Sequence, residues 1–356
     1  MEPVRRNSGY FRHSRRSGRL AGVRRGELVR VRLGWLASGL AVAFVLSLMA
    51  GAHWVGPVKV WHALWSPSAT DVDDLLIRTT RLTRTLVALI VGAGLGMAGG
   101  IMQTLTRNPL ASPGLLGINA GALFVVVLLV TLGGALPVWL VSAGAFGGAA
   151  LAAAAVWWIA MGRPGQAGPL RLILAGAALT ALFHAFSQAL LVVDQQGLDS
   201  VLFWLAGSVS ARPLSETWPL MLLSSVALLA CWPLSGQWNV LAAGESIAVG
   251  AGVRVGRLQG VSVALIVVLA GAAVAMAGNI AFVGLIVPHV ARRLTGPDHR
   301  HWLPAAALVG ATLLLLADIA ARTLILPEEV PIGVMTALVG APLFMGLIRR
   351  QGHLND

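Results

Sequence analysis

The chain has 356 residues, 57% of them hydrophobic and only 11% charged, with a mean hydropathy of +0.80. A soluble domain carries roughly a quarter charged residues, so this composition excludes an ordinary water-soluble protein and points to one membrane domain. The net charge of +12 includes a single lysine, Lys59, outside any phosphate-binding loop, and there is a single cysteine, Cys231; these exclude nucleotide hydrolysis by a Walker-type loop, an intrachain disulfide and a cysteine metal cluster.

Residues 1–33 hold ten arginines, from Arg5 to Arg32. They are read as a basic cytoplasmic tail that helps set topology; no aromatic interleaving supports nucleic-acid binding. Arg15-Arg16 resembles the start of an export signal. The apolar stretch after it is span-length and shows no cleavage site, so it is read as an uncleaved first span. A helix needs about 20 apolar residues to cross the hydrocarbon, and about ten such stretches occur. They fall near 34–54, 82–104, 114–133, 136–161, 170–193, 217–236, 258–277, 280–294, 303–321 and 331–348. The domain reading is therefore a tail (1–33), a transmembrane domain (34–350) and a short C-terminal tail (351–356). With the N-terminus inside, inner loops hold Arg107, Arg163, Arg254, Arg257, Arg292, Arg293 and Arg300, with Arg349 and Arg350 following the last span. Acids such as Asp71, Asp73, Asp74, Asp194, Asp199, Glu216, Glu328 and Glu329 fall outside, and both termini are expected to be cytoplasmic. Arg78, Arg81, Arg84, Arg212 and Arg322 break this pattern.

Within the second span, Gly92, Gly96 and Gly100 share a face and serve close helix packing, either inside the subunit or between subunits. Residues 87–99 share a faint repeat with 263–278, of the kind seen in transporters with inverted repeats. The run from Gln103 to Gly114 contains two prolines and forces a turn. The loop at 238–257 reads as a short helical pair at the inner surface. Its small residues and lone acid, Glu245, suit a groove on another protein, or else the lipid surface. Asn279, Gly284 and Pro288 interrupt the eighth span, and broken helices tend to face a cavity. His289 is placed at a broken helix end. Asp318 and Arg322 stand four apart, a favourable helical ion pair. Buried acids along a path are missing, which argues against a proton-driven carrier. No metal-ligand spacing and no catalytic set appear, so neither an enzyme nor a bound cofactor or metal is expected.

Several stretches, in one order from residue 80 to the C-terminus, resemble a known family. They are Arg81-Leu82-Thr83-Arg84, Met102-Gln103-Thr104-Leu105-Thr106-Arg107-Asn108-Pro109-Leu110-Ala111, Pro113-Gly114-Leu115-Leu116-Gly117-Ile118-Asn119-Ala120-Gly121-Ala122 and Trp204-Leu205-Ala206-Gly207-Ser208. Gly244-Glu245, Phe282-Val283-Gly284-Leu285-Ile286-Val287-Pro288-His289, Ala317-Asp318-Ile319, Pro331-Ile332-Gly333 and Gly340-Ala341-Pro342-Leu343-Phe344 continue the series. The chain is similar to permeases of binding-protein-dependent ABC importers for iron–siderophore complexes, haem and cobalamin.

The resemblance implies an all-α, polytopic bundle of ten helices, like cobalamin-importer permeases. It implies transport of a ferric siderophore across the bacterial cytoplasmic membrane, with cobalamin or haem as the alternative ligand. The implied partners are a separate ATP-binding subunit, a second permease (identical or paralogous) and an extracytoplasmic binding protein. By the same resemblance Gly244, Glu245, Ala248, Gly252 and Arg254 contact the ATPase, within a coupling loop at 240–257. Asn108 and Leu110 belong to a cytoplasmic gate; Arg81, Arg84 and Arg322 dock the binding protein; Asn279, Gly284 and Pro288 mark the translocation path. The chain departs from the family at Thr83, where proline is usual, and at Ala251, where leucine precedes the glycine.

Overall fold

The structure, a computed structural model, describes residues 10–51, 53–68, 70–134, 136–161, 169–193, 201, 204–209, 213–326 and 328–352. Arg163, Arg212, Asp194 and Asp199 lie outside the described residues. Among the described residues the regular elements are all helical. In chain order they are α1 (Tyr10–Met49), α2 (Pro57–Trp65), α3 (Val72–Leu76), α4 (Leu82–Thr106), α5 (Ile118–Gly133), α6 (Val138–Met161) and α7 (Pro169–Val193). Then follow α8 (Leu214–Cys231), α9 (Ser235–Ala243), α10 (Glu245–Gly250), α11 (Val255–Ala277), α12 (Val283–Thr295), α13 (His299–Thr323) and α14 (Ile332–Gly352).

Among the described residues, seven helical stretches are long and apolar enough to cross a membrane. Two further apolar helices, Ile118–Gly133 and Ile332–Gly346, are shorter. The eighth expected span, 280–294, differs. Its helix, α12, has only 13 residues, about 20 Å at the α-helical rise, and cannot cross about 30 Å of hydrocarbon alone. Just before it the chain turns through Gly278 and Phe282, both at positive φ. The break expected around Asn279, Gly284 and Pro288 therefore lies at 278–282. Gly284, Pro288 and His289 are inside α12, which corrects the placing of His289 at a broken end. At the N-terminus, α1 reaches back to Tyr10, so helix extends into the segment read as a tail; arginine is a good helix former.

The centre of the bundle is α4, whose most apolar window is 83% buried, packed against α11, α12 and α13. Glycine sets the spacing. A side-chain carbon on Gly92 would meet Gly310 O, one on Gly96 would meet Ala306 O, one on Gly99 would meet Gly284 O, and one on Gly100 would meet the Trp302 ring. The small-residue stripe thus packs inside the chain, letting backbones touch. Pro288 adds to this, because it lacks the N–H that would bond Gly284 O one turn back, and that carbonyl faces Gly99.

The outer elements are different. In α7 only 11% of the corresponding window is buried, leaving Leu170, Leu174, Leu182, Phe186 and Val193 exposed. A helix apolar on its exposed face is solvated by lipid or covered by a partner helix. Pro57 starts α2 at the first helical position, where its missing N–H costs nothing. This helix buries Val60 and Ala63 and exposes Val58, Trp61 and Trp65, the two indoles stacking at 4.5 Å. Lys59 pairs with Asp73 and, at 3.4 Å, Asp71; its bond to Asp73 and these nearby negative charges raise its pKa above the ordinary lysine value.

Candidate functional site

At one end of the bundle, hereafter the Arg84 end, five charged side chains meet. A π-helical turn at Ile77–Arg81 precedes α4 and shifts its register. Arg81 donates to Leu48 O (3.1 Å), Met49 O (2.8 Å) and His53 O (3.0 Å). It thereby caps the C-terminus of α1, whose last carbonyls have no helical partner and favour a cation. Arg84 Nε bonds Asp318 Oδ1 at 2.7 Å, and its Nη1 bonds both oxygens of Glu329, at 2.9 and 2.7 Å. Arg322 stands 2.7 Å from Asp318 Oδ2 and donates to Ala50 O and Ser47 Oγ. The helical pair expected between Asp318 and Arg322 is present and joined by Arg84.

The three arginines expected to dock a partner are only 3%, 5% and 4% exposed. Every guanidinium is held by intrachain acceptors, and they join α1, α4 and α13 to the loop after α13. A partner arriving at this end meets Arg78, Glu328 and Glu329, which are exposed. In this arrangement the guanidinium groups of Arg81, Arg84 and Arg322 are engaged within the chain.

Deeper in the bundle the broken segment pairs with residues 204–208. Ser208 N donates to Ala277 O at 2.9 Å. Side-chain carbons on Gly207, Gly278 and Gly333 would strike Asn279 O, Trp204 O and Ala206 O respectively, so only glycine permits this approach. Asn119 Nδ2 donates to Asn279 Oδ1 at 2.8 Å. Asn279 is also a polar member of a 510 Å³ cavity whose other walls include Leu205, Val334, Leu338, Pro342 and Met345. Non-helical backbone at membrane depth is tolerated where it is enclosed or lines a cavity, and Asn279 and Ala281 line this one. Of the residues expected along a path, Asn279 lines this cavity; Gly284 and Pro288 pack α12 against α4.

At the opposite end, the Asn108 end, α4 stops at Arg107 in the left-handed conformation. Asn108 Oδ1 then accepts from Leu110 N at 2.9 Å, an Asx turn that leaves Leu110 41% exposed. Nearby, α9 and α10 form the short helical pair. Gly244 (φ +145°) and Gly252 (φ +80°) bound α10 at angles suited to glycine. Ala248 is fully buried, while Glu245, Ile247, Val249 and Arg254 are exposed. The outward face is thus small and apolar with one acid.

Sequence reasoning missed a polar network behind this hairpin. Asn239, on α9, takes the backbone N–H and ring Nδ1 of His299 on its Oδ1, at 2.9 and 2.7 Å. Its Nδ2 donates to Asp298 Oδ1 at 2.6 Å, and Asp298 caps the N-terminus of α13. Its carboxyl sits below its ordinary pKa: partial burial opposes ionisation, but the bonds from Asn239 and the Arg300 backbone outweigh it. His299 Nε2 lies 2.9 Å from Thr104 Oγ1, near the end of α4. Trp238 bonds Ser262, and Arg292 lies over the Trp302 ring. The one available signal was Asp298 two residues after Gly296, an N-cap pattern.

The FecCD transport family matches residues 39–350 of this chain. The chain belongs to that family. Among its relatives, YfiZ of Bacillus subtilis, described as a probable siderophore transport system permease protein, is 44% identical over 322 residues, covering 88% of this chain and 94% of YfiZ. The ferric enterobactin transport system permease protein FepD of Escherichia coli is 41% identical over 316 residues, covering 88% and 93%. A solved structure of a metal-chelate type ABC transporter in an inward-facing conformation superposes with a TM-score of 0.78 at 32% identity, covering 89% of this chain and 98% of that one. The multi-pass helical membrane architecture of this FecCD chain agrees with that structure.

Proposed function

We propose that this FecCD chain is the permease subunit of an ATP-driven importer that carries a ferric siderophore across the bacterial cytoplasmic membrane. One observation carries the reading: relatives described as siderophore and ferric enterobactin permeases match at 41–44% identity over more than nine-tenths of their own length. Haem is the second reading, favoured by the hemin transport permease HmuU of Yersinia pestis at 38% identity over 324 residues.

In this proposal both termini are cytoplasmic and the Asn108 end faces inward. The α9–α10 hairpin, with Gly244, Glu245, Ala248, Gly252 and Arg254, receives an ATP-binding subunit. Its exposed apolar side chains and single acid support a groove-filling contact. Asn108 and Leu110 gate the inner mouth, and Asn279 borders the path. The binding protein lands on the Arg84 end. Arg81, Arg84 and Arg322 support that landing by fixing the rim, since they hold the end of α1, α13 and Glu329 together. A second permease, identical or paralogous, covers part of the exposed apolar surface. The chain performs no covalent chemistry; alternating access follows from the ligand and ATP favouring different states.

The test is uptake of radiolabelled iron as ferric siderophores in cells lacking this chain. Restored uptake on complementation supports the reading. Restoration of haem uptake alone would favour the second reading.

A further inference from the structure

The network behind the hairpin lies where motion at the ATPase contact has to reach the inner mouth. Asn239 sits on α9, five residues before Gly244 and six before Glu245. Thr104 sits on α4, four residues before Asn108. Between them stands His299, 4% exposed, at the first turn of α13. We propose that Asn239, His299 and Thr104 form a positioning relay that transmits displacement of the α9–α10 hairpin to the 107–112 turn. The proposal rests on the reading of this chain as an ATP-driven permease.

The geometry fixes how the relay is wired. Asp298 carboxylate can only accept, so the Asn239 amide must aim its NH₂ at Asp298 and its oxygen at His299. That oxygen already accepts from His299 N. Nδ1 of His299 must therefore carry the proton that reaches it. In a neutral imidazole Nε2 is then an acceptor, and the Thr104 hydroxyl is the donor facing it. The chain of bonds runs through three helices with each donor and acceptor defined.

Thr104 also has a second acceptor. Its hydroxyl lies 3.0 Å from Gly100 O, within its own helix. The single proton can turn from His299 to Gly100 without leaving the donor unpaired, so the link between α4 and α13 can break and reform. The surroundings are stiff by contrast. Trp238 and Trp302 are fully buried, and the His299 ring lies 4.8 Å from that of Trp302. Packed cores of this kind move as bodies rather than deform, so a push on α9 is delivered at its bonded contacts.

The experiment uses the assembled importer, with its ATPase, in lipid nanodiscs. A Leu110→Cys reporter in a Cys231→Ser background is labelled by a water-soluble maleimide, with and without ATP and vanadate. Thr104→Val removes the hydroxyl while keeping the shape, and Asn239→Leu removes the amide; Thr104→Ser restores the hydroxyl. The expected result is that the nucleotide-dependent change in labelling rate falls about five-fold in both disruptive variants and returns in Thr104→Ser, a size typical of residues that carry coupling. Labelling is normalised to assembled complex by size-exclusion chromatography. Unchanged nucleotide response in correctly assembled Thr104→Val and Asn239→Leu complexes would overturn the relay. So would loss that tracks loss of assembled complex alone, which marks a structural contact. The readout needs no chelate, so a wild-type complex that gates normally but imports no ferric siderophore contradicts the proposed function and leaves the relay measurable.

Discussion

Arg84 shows how one side chain can be functional in position and structural in its bonds. It joins Asp318, which is fully buried, to Glu329 at the rim. Removing one partner of a buried ion pair costs about 3–5 kcal/mol, because the other charge is left uncompensated. Arg84→Ala should therefore lower the yield and denaturation midpoint of the folded protein in detergent, as well as any binding-protein affinity. Arg78→Ala, at an exposed neighbour, should leave the midpoint unchanged. Equal stability of the two variants would return Arg84 to the role of a free docking group. The Asp318–Arg322 pair was legible in the sequence because a charge in an apolar run has few partners and the four-residue spacing supplies one. The relay was not legible. Its bonds span 195 and 60 residues, and threonine, asparagine and histidine near helix ends have many ordinary roles. Glu329 was read only as an outer-loop acid, since nothing local places it against Arg84.

Among the elements, the α4–α12 crossing is the most sharply determined. Gly99 faces Gly284 O with no room for a side chain. Gly99→Ala should destabilise by about 1–3 kcal/mol through overpacking. Gly147→Ala on α6, where a side chain meets open space, should be neutral or slightly stabilising through helix propensity. Thermal unfolding in one detergent compares the two, and an equal shift would mean that the α4–α12 contact is looser than described. The α9–α10 hairpin makes the opposite prediction. Glu245 is exposed, so Glu245→Arg should leave folding intact. It should cut co-purification of the ATPase and uptake, since like-charge contact across an interface costs several kcal/mol. Undiminished co-purification would remove Glu245 from that contact. Span positions were readable from apolar length alone. A break in the eighth span was legible at Asn279, but its placing at 278–282 was not, because that rests on the glycine-dependent approach of residues 204–208, distant in sequence.

At the scale of the whole molecule, the glycine-spaced centre of α4, α11, α12 and α13 is set against outer helices with apolar exposed faces. The polar groups concentrate at the two ends and at Asn279. This distribution contains no phosphate-binding loop around Lys59, so the purified chain should hydrolyse no ATP on its own; turnover by a homogeneous preparation would contradict that. The same distribution offers little for a proton-coupled carrier, since Asp318 and Glu329 are tied to Arg84 and Arg322. In the proposed function, ATP drives import of a ferric siderophore through this chain. The most direct measurement is uptake of iron-labelled ferric siderophore into proteoliposomes containing the assembled importer, with binding protein outside, ATP inside and the proton gradient collapsed by an uncoupler. Uptake is expected to continue at its full rate and to stop when ATP is omitted. Uptake that stops with the uncoupler while ATP remains, or that proceeds without ATP, would contradict the proposed function.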